Sequence, residues 1–162
     1  MTSAAIPRLK PHHVSVSVPD IDAAIGWYGD ILGFVLESRF EIPPIAAQGA
    51  FLKRDALRLE LWQIGAGAQV PAIRRNPDTD LTVGGTKHLA FAVPDLQAHL
   101  RELARRGVDI AAVQRDPAQP MKIESHPAEI IDPPAFALFI RDPGGTLIEL
   151  LDEGALGAMN MA

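Results

Sequence analysis

The sequence predicts an α+β protein built from two βαβββ modules. One observation is a repeated unit: His13, Val18, Pro19 and Asp20 return in the same order and spacing as His88, Val93, Pro94 and Asp95. Another is that each copy opens with a stretch in which apolar residues alternate, the period of a half-buried strand. Each copy then runs through a helical pattern into three further strand-length apolar stretches. A length of 162 residues suits one domain, or two small modules sharing a core.

Residues 1–11 read as an irregular lead-in and 12–64 as the first module. Val14, Val16 and Val18 face one way, and His13, Ser15 and Ser17 the other. The valines need a core, so the polar face lines a cavity or meets water. Asp20 is a good helix N-cap. Ile21, Ala24, Ile25, Tyr28, Ile31 and Leu32 follow at helical spacing, and Gly33 suits the C-terminal end. Strands are expected near 34–42, 50–54 and 57–64, with Pro43-Pro44 dividing the first two and a turn at Arg54-Asp55.

Residues 65–86, rich in glycine and proline, form a linker with room for a short helix. The second module spans 87–151. Leu89, Phe91 and Val93 alternate with His88, Ala90 and Ala92. Asp95 caps a helix carrying Leu96, Leu100, Leu103 and Ala104, Gly107 ends it, and strands are expected near 109–114, 136–141 and 146–151. An insertion at 115–135, with Pro117, Pro120, Pro127, Pro133 and Pro134, reads as a surface excursion or as a lid or binding loop. Residues 152–162 are a tail.

Composition removes several classes of function. The net charge of −5 is spread without a basic stripe, which argues against nucleic acid and anionic membrane surfaces. No apolar run reaches about 18 residues, so no membrane span is expected. Met1 to Lys10 lacks the long apolar core of a secretory signal. With no cysteine, disulfides, thiolate ligands and a cysteine nucleophile are excluded, and a cytoplasmic location is the default expectation.

Four residues carry the chemistry: His13, Glu60, His88 and Glu149. Glu60 sits within Leu57-Arg58-Leu59-Glu60-Leu61-Trp62, and Glu149 within Leu147-Ile148-Glu149-Leu150-Leu151. An ionised carboxylate among aliphatic side chains is costly unless a cation or hydrogen-bond donors meet it. A single histidine on a strand is more often structural, and a single glutamate there can be the wet face of an edge strand. The recurrence of both, at corresponding places in two modules, favours a shared divalent metal. Imidazole and carboxylate together suit Zn, Ni, Co, Mn or Fe. His12 has the opposite parity to His13 and reads as an edge residue or an outer partner of the site. His99 falls on or near the packed face of the second helix. His126, in the insertion, is a candidate substrate contact.

At these residues the chain resembles the vicinal oxygen chelate superfamily, which includes glyoxalase I, methylmalonyl-CoA epimerase, extradiol dioxygenases, and fosfomycin and bleomycin resistance proteins. The resemblance rests on the repeated His-to-Pro-Asp unit, on Tyr28 with Leu32-Gly33-Phe34, and on Asp142-Pro143-Gly144-Gly145-Thr146-Leu147-Ile148-Glu149-Leu150. It covers roughly 12–151. It implies curled mixed sheets forming a metal-holding cup, the glyoxalase-like fold, with His13, Glu60, His88 and Glu149 as ligands. A carboxylate at Glu60 tilts the implied activity toward a lyase or isomerase that removes a proton next to a metal-chelated carbonyl of a small molecule. Glu149 is then the base, and Glu60 a ligand with a second-base role. The resemblance also implies a homodimer. The glyoxalase I arginine for glutathione falls on Ser17 and its asparagine on Ile64, which argues against glutathione. Arg58 and Trp62 share the parity of Glu60 and are candidate substrate contacts, Arg58 for a carboxylate and Trp62 as an apolar wall. Two alternatives stand beside this reading: an Fe(II) extradiol-type dioxygenase, separable by oxygen uptake with catechols, and a non-catalytic resistance protein that sequesters a small molecule, separable by metal content.

Overall fold

The computed structural model describes residues 10–116, 118–124 and 134–155. The first module comprises β1 (Val14–Ser17), α1 (Ile21–Leu32), β2 (Val35–Ile42), β3 (Ala47–Arg54) and β4 (Leu57–Ile64). A short α2 (Pro77–Asp80) lies in the linker. The second module comprises β5 (Leu89–Val93), α3 (Leu96–Arg105), β6 (Asp109–Gln114), β7 (Ala137–Arg141) and β8 (Leu147–Asp152). The strands form two mixed four-stranded sheets, ordered β1-β4-β3-β2 and β5-β8-β7-β6. In each, the first strand runs parallel to the last and the other pairs are antiparallel. This is the expected βαβββ pair, and the sheets stay separate rather than closing into one.

The helices form where the sequence provides both ends. The Asp20 side chain accepts from the Ala23 N–H at 2.9 Å, and Asp95 repeats this with Ala98 at 2.8 Å. Gly33 ends α1 at φ 68, a left-handed conformation that suits glycine. Each helix buries one stripe: Ile21, Ala24, Tyr28 and Leu32 from α1, and Leu96, Leu100 and Leu103 from α3. Both stripes enter one core with Leu52, Leu59 and Leu61 of the first sheet and Leu138, Ile140 and Ile148 of the second. The modules thus share one core, tied further by Phe34 against Phe91 and by Tyr28, whose hydroxyl donates to Asp142 at 3.0 Å.

The repeat extends to irregularities. A break in register falls between Leu36 and Ser38 on β2 and between Ile110 and Ala112 on β6. Several expectations need adjustment. His13 and His88 stand immediately before β1 and β5 rather than within them. β3 begins at Ala47, because Pro43–Ile45 makes a single 3-10 turn and pairing resumes at once, Ile42 opposite Ala47. α3 ends at Arg105 with Arg106 as its cap, so Gly107 lies one residue beyond. Asp152 belongs to β8, and its carboxylate accepts from the N–H groups of Leu96 and Ala155. His99 is exposed, not packed, with Nδ1 2.7 Å from the carbonyl oxygen of Asp95.

Candidate functional site

Strand parity divides β4. Leu59 and Leu61 enter the core, which leaves Arg58, Glu60 and Trp62 on the opposite face. Registers then assemble one row across each sheet. In the first module it runs Ser15–Glu60–Phe51–Ser38; in the second, Ala90–Glu149–Phe139–Ala112. Each glutamate therefore has an aromatic ring from the neighbouring strand beside it.

Each histidine joins its own row. His13 Nε2 lies 3.2 Å from Glu60 Oε2, and His88 Nε2 lies 3.0 Å from Glu149 Oε2. The carboxylates are largely covered, 13% and 16% exposed; the imidazoles are 32% and 28% exposed. The rings meet the row's aromatic edge-on, His13 at 5.5 Å from Phe51 and His88 at 5.1 Å from Phe139. The structure thus brings the four predicted residues into two matching imidazole–carboxylate pairs. It does not gather three or more of them into one group among the described residues.

The pairs differ in their surroundings. Ser15 donates its hydroxyl to Glu60 Oε2 at 3.0 Å, whereas Ala90, in the corresponding place, has no hydroxyl for Glu149. His12 makes a second link in the first module, with its Nδ1 2.7 Å from His13 Nδ1 and its Nε2 3.0 Å from Arg58. Arginine only donates, so His12 Nε2 accepts. A neutral His12 then donates from Nδ1 to His13, which leaves the His13 proton on Nε2, toward Glu60.

Arg58 is engaged by Glu37 through Nε at 2.6 Å and a second nitrogen at 3.0 Å. That two-pronged hydrogen bond holds the Glu37 carboxyl below its usual range and raises the guanidinium. A substrate carboxylate at Arg58 would share the guanidinium with Glu37. Trp62 meets Phe40 edge-on at 5.0 Å. Phe40 lies over Gly49, where a Cβ would come within 2.1 Å of its ring. Glycine here makes room for the aromatic wall beside the site. His126 lies outside the described residues. The described part of the insertion turns back beside β6, where Val113 and Lys122 exchange both backbone hydrogen bonds. Met121 there packs with Ala111, Phe139 and Leu147, close to the second pair.

Between the leading strands of the two modules lies a cavity of about 280 Å³. Ser15, the partner of Glu60, and His88, the partner of Glu149, both line it. A larger cavity, about 1210 Å³, lies against α1, α3 and the β3–β4 turn; none of the four residues lines it.

Residues 12–124 match the model of the Glyoxalase/Bleomycin resistance protein/Dioxygenase superfamily. The chain belongs to this superfamily. The human mitochondrial methylmalonyl-CoA epimerase is 24% identical over 141 residues, covering 86% of this chain and 71% of that protein. The ethylmalonyl-CoA/methylmalonyl-CoA epimerase of Cereibacter sphaeroides is 26% identical over 141 residues, covering 86% and 94%. Among solved structures, the trypanothione-dependent glyoxalase I of Leishmania major has a TM-score of 0.63 at 21% identity, covering 92% of this chain and 90% of that one. The glyoxalase-like fold places the two pairs; at these identities it does not choose among the superfamily's chemistries.

Sequence reasoning missed Phe51, Phe139, Ser15 and Glu37 as parts of the site. The two phenylalanines were findable: each lies on the strand before its glutamate and on the same face. Glu37 carried no signal, because its pairing with Arg58 spans β2 to β4, strands that are not adjacent.

Proposed function

We propose that the protein is a divalent-metal-dependent lyase or isomerase of the glyoxalase I or methylmalonyl-CoA epimerase type, acting on a small carbonyl compound. The observation that carries this reading is the pair of matched imidazole–carboxylate contacts, one per module. Neighbouring ligands at about 2.1 Å from a common ion and at right angles lie about 3 Å apart, the spacing within each pair. The donor set, two imidazoles and two carboxylates, suits Zn, Ni, Co, Mn or Fe. His13, Glu60, His88 and Glu149 would hold the ion, which when bound supplies Lewis-acid polarisation of the substrate carbonyl.

The chain's own residues then divide the work. Glu149 takes the proton from the carbon next to the carbonyl and returns it. It is better placed for this than Glu60, because Ser15 ties Glu60 and Ala90 leaves Glu149 able to turn. Glu60 serves as ligand and second base. Trp62 gives an apolar wall, and Arg58 and His126 are further substrate contacts in this reading. The similarity to two acyl-CoA epimerases supports the isomerase branch.

A homodimer goes with this reading: Val35, Leu36, Ile42 and Ile45 are exposed on or beside edge strand β2 and offer a second copy an apolar border. So does a cytoplasmic location, which a chain without cysteine suits. The test is deuterium exchange in D2O at the carbon next to the carbonyl, with methylmalonyl-CoA and with the methylglyoxal hemithioacetal. Metal-dependent exchange with either supports the proposal; no exchange with both, in fully metal-loaded protein, refutes it.

A further inference from the structure

The cavity between the leading strands has an unusual lining for a chain of net charge −5. It contains no acidic residue, while Arg74 and Lys87 contribute two cations and Ser15, Ser17, Thr86 and Thr146 four hydroxyls. Both cations are held in place. Arg74 donates through Nε to Asp80 at 2.8 Å and through a second nitrogen to the Thr86 carbonyl. Lys87 donates to the backbone carbonyl of Asp80 at 2.8 Å, leaving two of its three ammonium donors for other partners. Asp80 is 2% exposed and does not line the cavity, and Lys87 has no carboxylate partner among the described residues.

We propose that this cavity is an anion site that receives a carboxylate or phosphate group of the substrate. Fixed, partly desolvated cations meet an anion with little ordering cost, and hydroxyls complete its hydrogen bonds. Arg74 comes from the linker and Lys87 from the start of the second module, so neither cation stands at the Ser17 or Ile64 position considered for glutathione. That the anion belongs to the substrate rests on the metal-dependent reading above, because Ser15 and His88 place the cavity beside both pairs. That the cavity binds an anion does not.

The experiment is calorimetric titration of the full-length protein with malonate and with inorganic phosphate at constant ionic strength, first metal-loaded and then after chelation. One or both anions are expected to bind with a Kd below about 10 mM in both forms; the tighter one identifies the group. Lys87→Met should weaken binding about tenfold or more. Arg74→Met leaves Asp80 buried without its partner and risks unfolding, so Lys87→Met, which retains that pair, is the deciding variant. No binding of either anion, binding only in the metal-loaded form, or unchanged affinity in folded Lys87→Met overturns the proposal. Anion binding in the chelated protein without proton exchange in the loaded one would sink the metal-dependent reading alone.

Discussion

Tyr28→Phe removes one oxygen from the junction of the two modules. Tyr28 is 0% exposed, and its hydroxyl donates to Asp142, itself 4% exposed, at 3.0 Å. Asp142 would keep the Thr146 N–H at 2.7 Å and lose its tie to α1. Burial pushes the Asp142 carboxyl up, opposed by donors that include Tyr28, so the variant exposes an already costly buried charge. Losing one hydrogen bond to a buried charged group costs about 1–3 kcal/mol, and each kcal/mol lowers Tm by about 2–4 °C at this size. The pH dependence supplies a second readout. Burial raises Tyr28 well above its ordinary 10.0, and the neighbouring Asp142 adds to this. Above pH 10 the unfolded chain therefore releases a proton that the folded chain keeps, and stability falls by about 1.4 kcal/mol per pH unit from this group. Tyr28 is the single tyrosine, so phenolate absorbance reports it alone, and the phenylalanine variant should lack this alkaline loss. Chemical denaturation at pH 7 and at pH 10.5 measures both effects. A loss under about 0.5 kcal/mol at pH 7, with an unchanged alkaline slope, would refute the reasoning.

Glu149→Gln should lower turnover by about 10²–10⁴-fold with little change in substrate affinity; steady-state kinetics showing wild-type turnover would remove Glu149 as the base. Gly49→Ala should destabilise by about 1–3 kcal/mol, since the added Cβ would overlap the Phe40 ring at 2.1 Å. Its near-ultraviolet circular dichroism should change as Phe40 shifts against Trp62, and a stable variant with the wild-type spectrum would contradict the packing described.

Much of the fold was legible because its signals are local. The alternation around Val16 and Leu89, the caps Asp20, Gly33 and Asp95, and the repeated Pro-Asp pairs each declare an element within a few residues. That His13, Glu60, His88 and Glu149 belong together was expected for a different reason: a carboxylate between aliphatic neighbours calls for a partner, and the repeat offers one histidine and one glutamate per module. What the sequence concealed depends on strands distant in the chain. Arg58 read as available for substrate, yet Glu37 reaches it across the sheet. His99 read as packed because its neighbours Leu96 and Leu103 are, but its own angle on α3 carries it to the surface. Nothing in the spacing of the four ligand candidates indicated that they would stand as two pairs rather than one group.

That division makes metal stoichiometry the most direct test. Reconstituted protein, dialysed free of excess and analysed by plasma mass spectrometry, should hold one divalent ion per chain, and His13→Ala and His88→Ala should each lose most of it, because one ion needs both pairs. Retention of the ion in either folded variant, or less than about half an ion per wild-type chain, would contradict a metal centre shared by the two modules.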